Sequence, residues 1–236
     1  MTSLARSSSV PPGCPDPGQH GLRRAVVFLP SGRDDYLASA RMSLEEFLEL
    51  DYEGGLAEWV NGEVFLYVSN KYSHQRVVDF LTFILQTALG ALRAGVMATG
   101  PYAMVGPSRK AGREPDVMAV TWEHRHRVKD DFLDGIPDLV VEVTSDDSVR
   151  RDRVVKRREY ERSGIPEYWI IDPREGEETA HFLVLVDGRY EEQAPGADGV
   201  YVSNVFPDLK FNVAWLFEEH PPVEDALKLV LGDRLR

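Results

Sequence analysis

One carboxylate constrains this chain more than any other residue. Glu142 stands inside Pro137-Asp-Leu-Val-Val-Glu142-Val-Thr144, and a nearly continuous apolar run of that kind suits a central strand covered on both faces. Burying an uncompensated carboxylate there costs several kcal/mol, so Glu142 must meet a cation, a proton or water. A structural Arg or Lys partner, or a place at the sheet edge facing solvent, would also satisfy it.

The residues after Glu142 narrow the topology. Arg151 to Ser163 reads as a helix, closed by Gly164 at the C′ position and by Pro166 beyond it. Glu167-Tyr-Trp-Ile-Ile-Asp172 is a second strong strand. Strand, helix and strand form a crossover unit, so the two strands should lie parallel or nearly adjacent in one sheet. Tyr168 and Trp169 read as core or sheet-face aromatics and Asp172, before Pro173, as a turn-former.

Upstream, Ser43 with Glu46 makes a capping box for a short helix over 42–50. Asn61-Gly62 joins two apolar runs as a hairpin, because both residues tolerate positive φ. Residues 71–92 carry the longest helical stripe, with Asn70 or Ser73 as candidate caps. Strands are expected at 96–99, with 102–105 continuing the sheet, and at 115–120; 106–112 is a loop or hairpin tip. The charged stretch 123–131 is an exposed helical turn. Asp187-Gly188 makes a second hairpin between 180–186 and 189–192. A short strand at 201–205, a helical segment at 212–217 and a terminal helix or loose tail at 222–231 complete the reading.

At 236 residues and 43% hydrophobic content the chain can bury a substantial core. The simplest division is a flexible Ser/Pro/Gly-rich lead over 1–35, one α/β domain over 36–217, and a tail or short helix over 218–236. Within the lead, Ala25 to Pro30 could add a strand or a docked arm. Cys14 is the only cysteine and lies in the lead, which excludes an internal disulfide and a Cys-rich zinc site. No run approaches the roughly 18 apolar residues of a membrane span, so a soluble, cytoplasmic protein is expected. The net charge of -12 opposes long-range attraction to nucleic acid. A carboxylate site holding a divalent metal would reverse that field locally, and the basic residues gather in Arg150 to Arg162.

Asp116, at the start of the strand before Glu142, supplies a second acid. Asp and Glu on adjacent strand ends suit a hard divalent cation, commonly held by one or two carboxylates plus substrate phosphate. Lys156 shares a helix face with Asp152 and Tyr160, four residues to either side, and could orient a water or offset charge on a phosphoryl group. Without that company it is one more cation on a basic helix. Glu58 and, less favourably, Glu63 are further candidate ligands, each otherwise an ordinary surface carboxylate. His74, in the first turn of the long helix, reads either as a satisfied, partly buried histidine or as a group near the metal or scissile phosphate. Arg150, Arg151, Arg153 and Arg157 are candidate phosphate contacts on an otherwise merely solvated helix. The remaining histidines form no zinc motif.

Glu114-Pro115-Asp116-Val117, Pro137 to Ser145, Lys156, Tyr160 and Gly164-Ile-Pro-Glu-Tyr-Trp-Ile-Ile-Asp-Pro173, with Glu58, Asn61-Gly62-Glu63 and His74, together resemble the Uma-two family, whose members are described as restriction endonucleases. The resemblance covers roughly 41–217. It implies the PD-(D/E)XK, restriction-endonuclease-like α/β fold, a mixed central sheet flanked by helices. It also implies that Asp116 and Glu142, helped by Glu58, hold Mg2+ or Mn2+ for hydrolysis of DNA phosphodiesters, the metal polarising the phosphate and lowering the pKa of the attacking water. The superfamily's usual lysine follows the second acid by two residues. Here Thr144 stands at that position, and the resemblance gives the lysine's role to Lys156. A two-fold homodimer would suit cleavage of both DNA strands. The competing readings are a non-catalytic binding or assembly module that keeps the fold, and hydrolysis of some other phosphodiester.

Overall fold

The protein is described by a computed structural model over residues 29–30, 38–50, 57–67, 71–146 and 148–232. The rest of the Ser/Pro/Gly-rich lead, Gly54-Gly55 and Asn70 therefore lie outside the described residues. Strand β1 (Leu29–Pro30) pairs antiparallel with β2 (Ala38–Arg41). Helix α1 (Leu44–Leu48) starts at Ser43 with both halves of the capping box formed. Strands β3 (Ala57–Val60) and β4 (Glu63–Leu66) are joined by Asn61 and Gly62 at φ 51° and 88°, the left-handed pair that a two-residue hairpin requires.

Helix α2 (Tyr72–Leu92) begins at Lys71 rather than at Ser73, and that cap residue contributes no side-chain hydrogen bond. There follow β5 (Gly95–Thr99), β6 (Ala103–Val105), β7 (Ala111–Arg113), β8 (Val117–Thr121), a 3-10 turn over Trp122–Arg127, β9 (Phe132–Asp134) and β10 (Leu139–Val143). The expected crossover helix is present in two parts. Arg151–Lys156 is π-helical and runs into α3 (Arg157–Ser163), which ends at Gly164 with φ 81°. Strands β11 (Glu167–Asp172), β12 (Thr179–Val186), β13 (Arg189–Glu192), β14 (Val200–Val202) and β15 (Lys210–Asn212) precede a 3-10 turn at Val213–Leu216 and helix α4 (Val223–Leu231).

Two main sheets form where a single central one was expected. One runs β13-β12-β11-β10-β8-β5, with β10 and β11 parallel and in direct contact across the crossover. The other runs β1-β2-β4-β3-β7-β6-β9. The 102–105 segment joins this second sheet, pairing with β7 and, in parallel, with β9. The fold remains a mixed α/β architecture with helices flanking the sheets.

Strand alternation sorts the core. Val141, Val143, Trp169 and Ile171 pack against the apolar stripe of α2, and Ala226 and Val230 of α4 join the same cluster. Val140, Tyr168 and Ile170 point to the opposite face, with Tyr160 of α3. Glu142 belongs to this second face by parity, at the seam between the two sheets. Among the described residues, no helix is long and apolar enough to cross a membrane.

Candidate active site at the seam of the two sheets

The β8–β10 register pairs Val117 with Val141. Continued by one step, it sets Asp116 opposite Glu142, the arrangement in which cross-strand side chains approach most closely. Asp116 Oδ2 accepts the Val143 N–H at 2.7 Å and lies 3.2 Å from His74 Nε2. His74 is buried, and among the described residues its Nδ1 meets no hydrogen-bond partner. The Asp116 side chain keeps 12% of its surface exposed, so this end of the cluster opens to solvent.

Glu142 is deeper. Its Oε1 accepts from the Tyr160 hydroxyl at 2.8 Å and lies 2.8 Å from Lys156 Nζ. The same ammonium is 2.8 Å from Glu58 Oε1 and 3.9 Å from Asp152 Oδ1. Lys156 is only 1% exposed. The inward face of the crossover helix thus delivers Asp152, Lys156 and Tyr160 to the carboxylates, with Lys156 reaching Glu142, Glu58 and Asp152.

Arg113, from β7, closes the cluster on the side of the second sheet. It donates to Glu58 Oε2 at 2.8 Å and grips Glu159 through Nε and a terminal nitrogen at 3.2 and 2.7 Å. Each oxygen of Glu58 therefore faces one cation. Glu63 turns elsewhere and accepts from Ser39. Ser148 donates to Asp152 Oδ2, and Tyr168 donates to the Asp152 carbonyl. Sequence reasoning missed Arg113, whose position beside Glu114-Pro115-Asp116 carried no periodic signal. Asp152 and Tyr160 were marked by their helical phase with Lys156, without a role assigned.

Acids outnumber cations here, and the proton affinities show it. Burial pushes Glu142 above the usual carboxylate range; Lys156 pulls it down, while Asp152, Asp116 and Glu58 push it up again. Burial likewise raises Asp152 against the pull of Lys156 and Arg151. Burial raises Glu114 to about 7. Glu58 goes the other way: burial alone would raise it, yet Lys156, Arg113 and Arg151 hold it well below the ordinary range. Burial would also strip Lys156 of its proton, but Glu142, Glu58 and Asp152 hold that proton more firmly than usual.

Two of the four arginines read as phosphate contacts face inward. Arg151 lies over the Tyr67 ring, 4.0 Å from its centroid, and Arg153 donates to Asp172 at 2.9 Å. Asp172 is fully buried and also takes both arms of Arg174. It accepts the Arg174 N–H as a turn-former would, but its larger part is as an acceptor for two guanidinium groups.

Magnesium and manganese are oxygen-seeking ions that tolerate a shell completed by water and substrate. Asp116 Oδ1 and Glu142 Oε2 receive no protein donor among the described residues, and burial raises the proton affinity of Glu142. These two acids therefore fit such an ion. Among the described residues, no group of three or more His, Cys, Asp or Glu side chains is arranged to hold a metal.

A family model described as "Putative restriction endonuclease", named Uma2, matches residues 44–214. The fold is similar to the crystal structure of "a putative nuclease belonging to DUF820" from Anabaena variabilis, with a TM-score of 0.60, 17% identity, and coverage of 75% of this chain and 97% of that one. At that identity the likeness is one of fold. None of the curated proteins compared with the chain matches it.

Proposed function

The chain belongs to the Uma2 family, within the PD-(D/E)XK nuclease superfamily, and from that premise we propose that it is a divalent-metal-dependent endonuclease hydrolysing DNA phosphodiesters at the Asp116–Glu142–Lys156 cluster. The observation that carries the proposal is the position of the Lys156 ammonium, 2.8 Å from Glu142 at the strand end beside Asp116. In this reading Asp116 and Glu142 would hold Mg2+ or Mn2+. When bound, such an ion supplies Lewis-acid polarisation of the phosphate and a more acidic water.

The chain's own groups do the remaining work. Lys156 offers a fixed positive charge where negative charge develops on a transferring phosphoryl group. Glu58 and Asp152 hold that ammonium in place, and Arg113 holds Glu58. His74 and the Val143 N–H fix the orientation of Asp116, leaving its other oxygen toward solvent. A two-fold dimer would bring one such site to each strand of a duplex.

Purified protein offered single- and double-stranded DNA with Mg2+ or Mn2+ should cleave it, and both Glu142→Ala and Lys156→Ala should be inactive. Unchanged cleavage by both variants would refute the assigned site, and a panel of other phosphodiesters would separate DNA from an alternative substrate. The near-complete burial of Lys156 favours a second reading, a non-catalytic module that keeps the cluster for architecture. No heat of Mn2+ binding together with no cleavage of any nucleic acid would select it.

A further inference from the structure

The outward face of the crossover helix carries a feature that the hydrolytic cluster does not use. Arg150, Val154, Arg158 and Arg162 recur every four residues and form one ridge. A groove of about 720 Å³ on one side of the ridge is bounded by Arg150, Arg158, Arg162 and the loop Gly106-Pro107-Ser108. A second groove, of about 640 Å³, lies on the other side and adds Arg157 and Arg189. Val154 and Val155 are 38% and 40% exposed between the arginines.

The charge distribution is the anomaly. Acids exceed bases by twelve in this chain, so an average surface arginine has a carboxylate close by. The acids in these grooves are already engaged: Glu159 holds Arg113, and Glu161 accepts from Arg189 and from the Tyr190 N–H. Among the described residues, Arg150, Arg157, Arg158 and Arg162 make no ion pair. Four exposed guanidinium groups that form no ion pair among the described residues, set along one helix, complement a row of anions.

We propose that this ridge and its two grooves bind the phosphodiester backbone of a nucleic acid as an anchoring surface distinct from the hydrolytic cluster. Arg158 and Arg162 stand four residues apart, about 6 Å along the helix, and Arg150 to Arg162 spans at most about 18 Å, a track that several successive phosphates of one strand can follow. Guanidinium groups bind phosphate through two parallel N–H donors. The surface faces away from Lys156 across a helix about 10 Å thick, so it grips a segment flanking the one hydrolysed and reads no base sequence. The identity of the polyanion rests on the nuclease reading above; the binding itself does not require that the protein cleave anything.

The test is binding of a fluorescent DNA duplex to the full chain in EDTA, which removes hydrolysis from the readout, across a series of salt concentrations. Arg158→Glu/Arg162→Glu should weaken binding by about tenfold or more, and the slope of log affinity against log salt should flatten by about two, one for each lost phosphate contact. Arg158→Lys/Arg162→Lys, which keeps the charge, should retain most of the affinity and shows whether the loss follows charge rather than folding. Unchanged affinity and slope in the glutamate variant overturns the proposal. So does a poly-glutamate peptide that binds the wild type as tightly as the duplex, since the surface would then fit an acidic protein partner. A protein that binds through these arginines but never cleaves keeps this inference and removes the nuclease reading; one that cleaves and ignores the substitutions does the reverse.

Discussion

Two buried glutamates on the same sheet meet opposite fates. On the α2 face, Glu167 accepts from Trp169 Nε1 (2.7 Å), the Tyr201 hydroxyl (2.6 Å), the Ser203 hydroxyl (2.7 Å) and the Val205 N–H (2.9 Å). All four donors are neutral and local to the C-terminal strands, and both oxygens are served. On the opposite face, Glu142 shares one lysine with Glu58 and Asp152 and has one other donor, Tyr160. The first carboxylate completes an architecture. The second belongs to a cluster with more acid than the protein itself neutralises, and such a cluster has capacity left for a cation. On the proposed reading, burial alone does not mark a functional carboxylate; incomplete compensation does.

The sharpest way to break this contrast is to remove the shared cation. Lys156→Met leaves Glu58, Glu142 and Asp152 buried without it, and the usual cost of stranding a buried charge is about 3–5 kcal/mol. Denaturant unfolding at neutral pH should show a loss of that size, partly recovered at lower pH as the acids take up protons. A loss under about 1 kcal/mol would mean that water reaches the cluster and that the comparison is misdrawn.

The next effect is pH dependence. Glu114 and Glu142 hold protons in the folded state above the ordinary carboxylate value near 4.5. As pH rises from there the unfolded chain releases its protons while the folded chain keeps them, so stability falls. For Glu114 the fall ends near pH 7 and amounts to about 3 kcal/mol. Glu58 acts in the other direction: its contribution is present above the ordinary value and is lost as pH drops well below it. Melting temperature should therefore decline from about pH 5 to neutrality, and Mg2+ should raise it at neutral pH but not at pH 5. A flat profile with no metal effect would contradict the picture of an under-compensated cluster.

Smaller still are two substitutions that address each glutamate through its donors. Glu167→Gln turns one acceptor oxygen into a donor that faces two donors, costing about 1–3 kcal/mol by thermal or denaturant unfolding. Tyr160→Phe removes one hydrogen bond from Glu142 and should cost about 1 kcal/mol, because Lys156 stays on the same oxygen. Reversal of that order would mean that Glu142 is the better-served acid.

What was legible in the sequence was what is local. The capping box at Ser43, the hairpins at Asn61-Gly62 and Asp187-Gly188 and the crossover from β10 to β11 depend on neighbours a few residues apart, and each appears where the pattern set it. The second sheet was legible only in its β3–β4 hairpin and the β6 segment, not as a sheet. Its strands β7 and β9 are three residues each, too short for alternation to register; β6 reads as a strand, but as one of the other sheet, and the parallel β6–β9 pair is a tertiary choice. The site divides along the same line. Asp116 and Glu142 announced themselves by standing beside or within apolar strands, and Asp152 and Tyr160 by their phase with Lys156. Arg113 and the double engagement of Glu58 arise only where the two sheets meet, and no spacing along the chain encodes that meeting.

The most direct test sets the two glutamates against each other in one assay, cleavage of DNA in Mg2+ by Glu142→Gln and Glu167→Gln at a temperature where both remain folded. Glu142→Gln should lose more than about a hundredfold, beyond what loss of an outer partner of a metal ligand typically costs, while Glu167→Gln, although less stable, should cleave at close to the wild-type rate. Equal rates in the two variants, or a defect confined to Glu167→Gln, would contradict the assignment of hydrolysis to the Glu142 face.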